Sequence, residues 1–265
     1  MDCLTDCLEV ARQAAHEAGR MLKANIGARR DVVFKGAVDL VTQFDKRAQD
    51  IIHRRLSSAF PDHGFLAEEG LAVEGRGDYR WIFDPLDGTT NYAHGLPVFC
   101  VSIALEHRGR LAAGVVYDPM REETFWAAMG SGAFLNGSRI RVSTVDDLDK
   151  SLLATGFPYD VRDSDVNNVL QFNAFIMRTQ AVRRCGSAAL DLCYVACGRF
   201  DGFWELKLKP WDMAAGALII LESGGMASDF EGNAFNPFHP EALASNGLIH
   251  EQMKKILLDC RKATP

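Results

Sequence analysis

The chain has 265 residues, 48% hydrophobic and 24% charged, with 29 basic against 35 acidic side chains and a formal net charge of −6. That balance belongs to a folded globular protein and excludes a disordered or low-complexity chain. A net acidic chain with no long basic run also argues against a dedicated nucleic-acid binder. The first residues, Met1-Asp2-Cys3-Leu4-Thr5-Asp6, are acidic where a signal peptide is basic. The longest apolar run, Met213 to Leu221, is far short of the ~20 residues needed to cross a bilayer. The expected location is therefore cytoplasmic, without membrane association. Cys3, Cys7, Cys100, Cys185, Cys193, Cys197 and Cys260 contain no CxxC pair and indicate neither a disulfide framework nor a zinc site. The i, i+4 pairs Cys3/Cys7 and Cys193/Cys197 read as small buried hydrophobes on helix faces.

In chain order, Leu4, Leu8, Ala11, Ala15, Ala18 and Leu22 recur at steps of three and four, which predicts an amphipathic helix ended by Gly27. Val32-Val33-Phe34 predicts a short strand closed by a turn at Gly36. A second helix follows, with Phe44, Ala48, Ile51, Ile52 and Leu56 on one face and Pro61 beyond its end. Phe65-Leu66-Ala67 and Trp81-Ile82-Phe83 predict brief apolar strands that run straight into acidic residues. From Val98 to Val142 the pattern turns to period two. Strands over Val98–Leu105, Leu111–Tyr117, Thr124–Ala128 and Arg139–Val142, the last introduced by an Asn136-Gly137 turn, predict an antiparallel meander. Beyond residue 150 strands and helices alternate. Strands are expected at Leu152–Ala154, Ala181-Val182, Phe203-Trp204, Met226–Ser228 and Ala242–Ala244, and helices at Asn168–Thr179, Ser187–Cys197, Asp212–Glu222 and Glu251–Cys260. The fold class this predicts is layered α/β (α+β), one unit over 1–265 in two closely packed halves, 1–145 and 146–265.

Acidic residues stand where strands end or helices begin: Thr42-Gln43-Phe44-Asp45, Ala67-Glu68-Glu69-Gly70, Asp84-Pro85-Leu86-Asp87-Gly88-Thr89-Thr90 and Pro210-Trp211-Asp212. Asp45 can be a capping-box acid, Glu68-Glu69 ordinary loop charge, and Asp212 a first-turn acid. The segment from Asp84 is different. An aspartate directly after a Trp-Ile-Phe strand is poor strand chemistry, and Pro85 removes a backbone donor. Asp84 and Asp87 bracket a tight turn, Gly88 permits close backbone approach, and Thr89 and Thr90 add hydroxyls and amides where a helix can start. Converging carboxylates repel unless protonated or neutralised, and hard oxygen ligands at a turn suit Mg²⁺.

Taken together, Asp84-Pro85-Leu86-Asp87-Gly88-Thr89-Thr90-Asn91 and Trp211-Asp212-Met213-Ala214-Ala215-Gly216 resemble the signatures of the inositol monophosphatase family. So do Asp39-Leu40-Val41-Thr42 leading to Asp45, the Glu68-Glu69 pair, Gly186-Ser187-Ala188-Ala189 and Gly202-Phe203-Trp204-Glu205, all in the family's order over residues 36–225. The resemblance implies a Mg²⁺-dependent, lithium-sensitive phosphomonoesterase with a layered αβαβα fold, dimeric, acting on a small-molecule phosphate ester. It implies that Glu68, Asp84 and the Leu86 carbonyl hold one Mg²⁺, that Asp84, Asp87 and Asp212 hold a second, and that a third sits near Glu68 and the Lys35–Asp39 loop. Asp45 and Thr89 would then be the catalytic pair, activating water. Asp87, Gly88, Thr89, Gly186, Ser187, Ala188, Glu205 and Asp212 would bind substrate.

Ala67 and Gly70 depart from the family's common Gly and Ser around the Glu-Glu pair, and Thr90-Asn91 favours the inositol phosphatase branch over relatives with Lys there. The leading expectation is hydrolysis of inositol 1-phosphate, with fructose 1,6-bisphosphatase or broad sugar phosphatase activity as the alternative and nucleotide 3′-phosphatase activity third. An alternative of another class is association with RNA or RNA polymerase. It is motivated by Arg29-Arg30, Arg183-Arg184 and Lys207-Leu208-Lys209, which on an acidic chain read mainly as solvated surface. None of the seven histidines has HxH or HExxH spacing, and none is assigned to chemistry.

Overall fold

The helical and alternating periodicities sort the chain into stacked layers, seen in a computed structural model that describes residues 4–27, 32–34 and 40–263. Helix α1 (Leu4–Asn25) buries Leu8, Ala11, Ala15, Ala18 and Leu22 as expected, and Gly27 follows its end with φ 83°. Strands β1 (Val32–Phe34) and β2 (Leu40–Thr42) pair antiparallel. Cys3, Arg29-Arg30, the turn expected at Gly36 and the whole Lys35–Asp39 segment lie outside the described residues. Helix α2 (Gln43–Ala59) buries Phe44, Ala48, Ile52 and Leu56, while Ile51 stays half-buried.

The large sheet contains β3 (Gly64–Ala67), β4 (Ala72–Val73), β5 (Tyr79–Asp87), β6 (Cys100–His107), β7 (Arg110–Asp118), β8 (Glu123–Ala128), β9 (Gly132–Leu135) and β10 (Ser138–Arg139), with the short helix α3 (Thr89–His94) between β5 and β6. Its order is β10-β9-β8-β7-β6-β5-β3-β4, antiparallel throughout except where β3 runs parallel to β5. The expected meander needs two corrections. Gly132–Leu135 forms a strand that its glycines hid, and the Asn136-Gly137 turn closes the β9–β10 hairpin. The last strand stops at Arg139 instead of Val142, because the Val142 amide has left the sheet and donates to the Ser223 carbonyl.

The second half supplies β11 (Leu152–Thr155), α4 (Val169–Ile176), β12 (Ala181–Arg183), α5 (Ala188–Ala196), β13 (Gly202–Leu206), α6 (Pro210–Glu222), β14 (Met226–Ser228), β15 (Glu241–Ser245) and α7 (His250–Ala263). These strands form a sheet of order β12-β11-β13-β15-β14, with β11 parallel to both its neighbours and the remaining pairs antiparallel. Helix α4 is shorter than the expected 168–179. Asn168 sits at φ 72°, outside helical space, and the chain leaves the helix after Ile176.

Side-chain alternation then fixes the stacking. Trp81 and Phe83 face α1 and α2, whereas Ile82 between them faces α5 and α6. In the second sheet Phe203 joins that same middle layer, and Trp204 faces Phe175 of α4 and Met253 and Leu257 of α7. The layer order is helix pair, eight-stranded sheet, helix pair, five-stranded sheet, helix pair, the αβαβα arrangement expected. Met213 to Ile220 are buried, as the apolar character of that run requires, and no helix among the described residues is long and apolar enough to cross a membrane. Two histidines are buried in the core: His250 sits between the hydroxyls of Ser228 and Ser245, and His63 stacks on Phe60 and Tyr79, while His94 and His239 are exposed.

Helix α6 touches the large sheet backbone to backbone. A Cβ on Gly114 of β7 would lie 2.9 Å from the Ala215 carbonyl oxygen and 3.1 Å from its Cα, so only glycine lets the helix come this close. Backbone on both sides cannot swing away as a side chain would. Gly114→Ala is expected to cost about 1–3 kcal/mol through overpacking, read as a lower urea midpoint with an unchanged slope. An unchanged midpoint would show that α6 is free to shift on the sheet.

Candidate active site

The acidic turn owes its shape to a slip in the β5–β6 ladder. Asp84 pairs with Ser102 but Asp87 pairs with Cys100, so three steps on β5 span two on β6. Residues three apart on a regular strand point to opposite faces; one extra residue restores the parity and brings both aspartates to the face that carries Ile82. Pro85, unable to donate to the ladder, stands within the slip. The strand then ends at Gly88, whose φ of 95° starts α3, and a Cβ there would meet the Val98 carbonyl oxygen at 2.9 Å.

This face opens on a cavity of about 500 Å³ lined by Glu68 just after β3, by Asp84, Leu86 and Asp87 of β5, and by Gly88 and Thr89 at the start of α3. From the other side it is lined by Gly186, Ser187 and Ala188 at the start of α5, Glu205 on β13, and Trp211 and Asp212 at the start of α6. Among the described residues, those expected in metal or substrate binding line this one cavity, the Lys35–Asp39 segment lying outside them. Asp45, expected as catalytic, stands behind it: it is buried on the first turn of α2 and accepts from Thr89 Oγ1 at 3.0 Å. None of the seven histidines lines the cavity. Of the basic residues, Arg184 and Lys209 are exposed, as a solvated surface requires, and together with half-buried Lys207 they also border the cavity.

Each acid also serves the local structure. Asp84 Oδ1 accepts from the Leu86 amide at 2.8 Å, and Asp212 Oδ2 accepts from the Lys209 amide at 2.7 Å, the helix-start role expected of it. Asp87 Oδ2 accepts from Ser187 Oγ at 2.6 Å and from the Ala189 amide at 2.8 Å, which ties β5 to the first turn of α5. Thr89 has one proton and two acceptors at 3.0 Å, Asp45 Oδ1 and the Leu86 carbonyl. Among the described residues no three acidic, His or Cys side chains close to coordination distance around one point. Asp84, Asp87 and Asp212 line the cavity with one oxygen of each turned onto a protein donor.

The electrostatics favour a cation. Burial pushes Asp84 well above the usual carboxylate range, and the charges of Glu68, Asp87 and Asp212 push it further. Burial raises Asp212 in the same way, against the Lys209 amide and with Asp87, Glu68 and Glu205 adding to it. Asp87 is also raised by burial, although its bonds from Ser187 and Ala189 hold it down. Glu205 is pushed up to about 8 by burial and then by Asp191. Uncompensated buried carboxylates are costly, and hard oxygen donors match Mg²⁺, so the residues present fit that ion. Sequence reasoning missed Asp191, a buried cavity residue one turn into α5 whose carboxyl is raised by burial. It also missed the wall formed by Gly156 to Asp160. Asp191 had a helical position and an apolar neighbourhood and gave no local signal.

Comparison with known proteins decides what this constellation belongs to. The sequence matches the profile of the inositol monophosphatase family over residues 4–262. This chain is a member of the inositol monophosphatase family. It is 45% identical to an inositol-1-monophosphatase from Mesorhizobium japonicum, over 94% of either chain. It is 48% identical to a Nus factor SuhB from Pseudomonas aeruginosa, covering 85% of this chain and 86% of the relative. The solved inositol monophosphatase from Anabaena superposes with a TM-score of 0.89 at 41% identity, covering 97% of this chain and 96% of that one. Family and relatives identify a phosphatase of the phosphoric monoester hydrolase class, in a family that is generally Mg²⁺-dependent.

Relief of carboxylate repulsion by Mg²⁺ has a measurable sign. Raised carboxyl pKa values mean that the metal-free fold binds protons the unfolded chain has released, so its stability falls as pH rises from about 5 to 8. Mg²⁺ binds the deprotonated acids, so the rise in thermal midpoint on adding Mg²⁺ is expected to grow between pH 6 and pH 8, by about 5 °C or more at saturation. A midpoint indifferent to Mg²⁺ across that range would contradict a metal site here.

Proposed function

We propose that this chain is a Mg²⁺-dependent phosphomonoesterase that hydrolyses inositol 1-phosphate to inositol and phosphate. The observation that carries the reading is the β5 slip, which turns Asp84 and Asp87 into one cavity directly in front of the Thr89–Asp45 hydrogen bond. We assign Glu68, Asp84 and the Leu86 carbonyl to one Mg²⁺ and Asp84, Asp87 and Asp212 to a second, the third ion of the family expectation falling by the Lys35–Asp39 segment. Bound Mg²⁺ supplies a lowered pKa for water and neutralises charge on the phosphoryl oxygens.

The chain's own groups do the rest. When Thr89 gives its proton to Asp45, its oxygen lone pairs are free to accept from the attacking water, and the Leu86 carbonyl loses its competing donor. The proton released by water passes to Thr89 Oγ1 as the Thr89 proton passes to Asp45, a relay over one 3.0 Å bond. Amides of Gly88 and Thr89, at the start of α3, receive phosphate oxygens. Ser187 donates to Asp87 and so holds that carboxylate in place, leaving its lone pairs for a substrate hydroxyl. Glu205, beside Gly186 and Ala188, accepts from ring hydroxyls.

Residues 1–265 act in this reading as one unit, halves 1–145 and 146–265 contributing opposite walls of the cavity, and as a homodimer. Val166, Val169, Leu170, Ile176 and Met177 form an exposed apolar surface around α4 suited to such pairing. A second reading keeps the chemistry and changes the substrate: Arg184 and Lys209 on the cavity border suit a second anionic group, as in fructose 1,6-bisphosphate. The Nus factor relative motivates a binding role in transcription, tested by whether RNA polymerase or RNA is retained on the immobilised protein.

Phosphate release from inositol 1-phosphate and from fructose 1,6-bisphosphate, with and without Mg²⁺, tests the main reading. Mg²⁺-dependent turnover fastest on inositol phosphate is the expected result, and preference for the bisphosphate would overturn the substrate alone. Asp87→Asn is expected to reduce release to background while its thermal midpoint stays within about 5 °C of the parent. Turnover by that variant near the parent rate would remove Asp87 from the metal set.

A further inference from the structure

Between β11 and α4 the chain runs from residue 156 to residue 168 without regular secondary structure. Unstructured connections of this length inside a folded unit are generally functional. Gly156, Phe157, Pro158, Tyr159 and Asp160 line the cavity next to Glu205. The loop is held at three points. At its start, a Cβ on Gly156 would collide with the Glu205 carboxylate, so glycine lets that carboxylate lie against the chain. At its end, buried Asn168 donates through Nδ2 to Thr155 Oγ1 at 2.8 Å and to the Gly156 carbonyl at 2.5 Å, and accepts from Trp204 Nε1 at 2.7 Å. In its middle, Lys207 Nζ donates to Asp160 Oδ2 at 2.6 Å and to Ser164 Oγ at 2.8 Å.

Lys207 is the unusual member. It follows β13 by one residue and has φ 64°, a conformation in which Cβ crowds the backbone and which suits glycine. Glycine would relax the backbone there but could not reach Asp160 or Ser164. Strain of this kind persists where the surroundings require the side chain. Global stability is not the requirement: the Lys207 and Asp160 side chains are 31% and 52% exposed, and such pairs contribute little to folding. Both partners border the cavity, and Lys207 lies two residues from Glu205, so the bond ties the loop to the strand that carries Glu205.

We propose that Lys207 is a positioning residue, latching the 156–168 loop to the end of β13 and thereby setting the shape of the cavity where the organic leaving group of the phosphate ester binds. The inference rests on the phosphomonoesterase reading and adds the element that reads the leaving group. The phosphate end is built by β5 and α3, in the other sheet, so the two ends of the site are separately measurable.

Three variants test it in the full-length protein: Lys207→Gly, Lys207→Met and Lys207→Arg. Lys207→Gly and Lys207→Met are expected to raise KM for inositol 1-phosphate by about fivefold or more, with kcat and the inhibition constant of inorganic phosphate within about twofold of the parent. Lys207→Arg, which keeps the charge, restores KM. Exposed Arg162 lies within the loop, so the same two variants should release the fragment ending at Arg162 faster under trypsin, and Lys207→Arg should not. Lys207→Gly should melt no lower than the parent, separating the latch from folding. Unchanged trypsin cleavage, or KM and phosphate inhibition shifting together, overturns the proposal. If the parent hydrolyses no phosphate ester, the phosphatase reading fails, and the latch stands or falls on the trypsin rates alone.

Discussion

One extra residue in β5 is the constraint on which the site depends. A strand cannot present residues three apart on the same face, and a turn outside the sheet would not fix them as a ladder does. By slipping against β6 between Asp84 and Asp87, the chain keeps both aspartates anchored by strand pairing and aims them at the layer where α5 and α6 begin. The cost is a set of carboxylates that repel one another in a poorly solvated place, and the structure offsets part of it locally. Backbone amides of Leu86, Ala189 and Lys209 each hold one acid. The starts of α3, α5 and α6 all border the cavity, bringing the positive ends of three helices to it. Those donors orient the acids, and a divalent ion is the group that would neutralise them.

The same positions serve local structure and also line or adjoin the cavity. Asp212 is a first-turn acid of α6 and a cavity acid; Asp45 is a first-turn acid of α2 and the acceptor behind Thr89. Neither acid is confined to its helix start: one faces the cavity and the other adjoins it through Thr89. Asp87 goes further, because its bonds to Ser187 and Ala189 join the first half of the chain to the second. The site is thus also a seam of the fold.

Much of this was legible in the residues because it is local. The Trp-Ile-Phe strand broken by Asp84-Pro85, the Pro210-Trp211-Asp212 helix start and the alternation from Val98 onward all involve neighbours a few positions apart. The layered arrangement followed from periodicity and from the resemblance carried by the acidic motifs. What stayed hidden depends on distant partners or on backbone state. Asp191 has a helical position like any other, and only its burial at the cavity makes it notable. Lys207 meets Asp160 across 47 residues, and Asn168 meets Trp204 across 36. Gly130 and Gly132 obscured the Gly132–Leu135 strand, and the expected helix 168–179 lost Asn168 at its start to a left-handed backbone and its last three residues after Ile176.

The middle helix layer has a mechanical consequence. Helices α5 and α6 pack against both sheets within a single apolar cluster, and Gly114 sets α6 in direct contact with the backbone of β7. Neither sheet can swing away from the other without exposing that cluster to water, so the molecule has no hinge of the kind that lets two-lobed enzymes close like a jaw. Admission and release of ligand then fall to short segments at the mouth of the cavity.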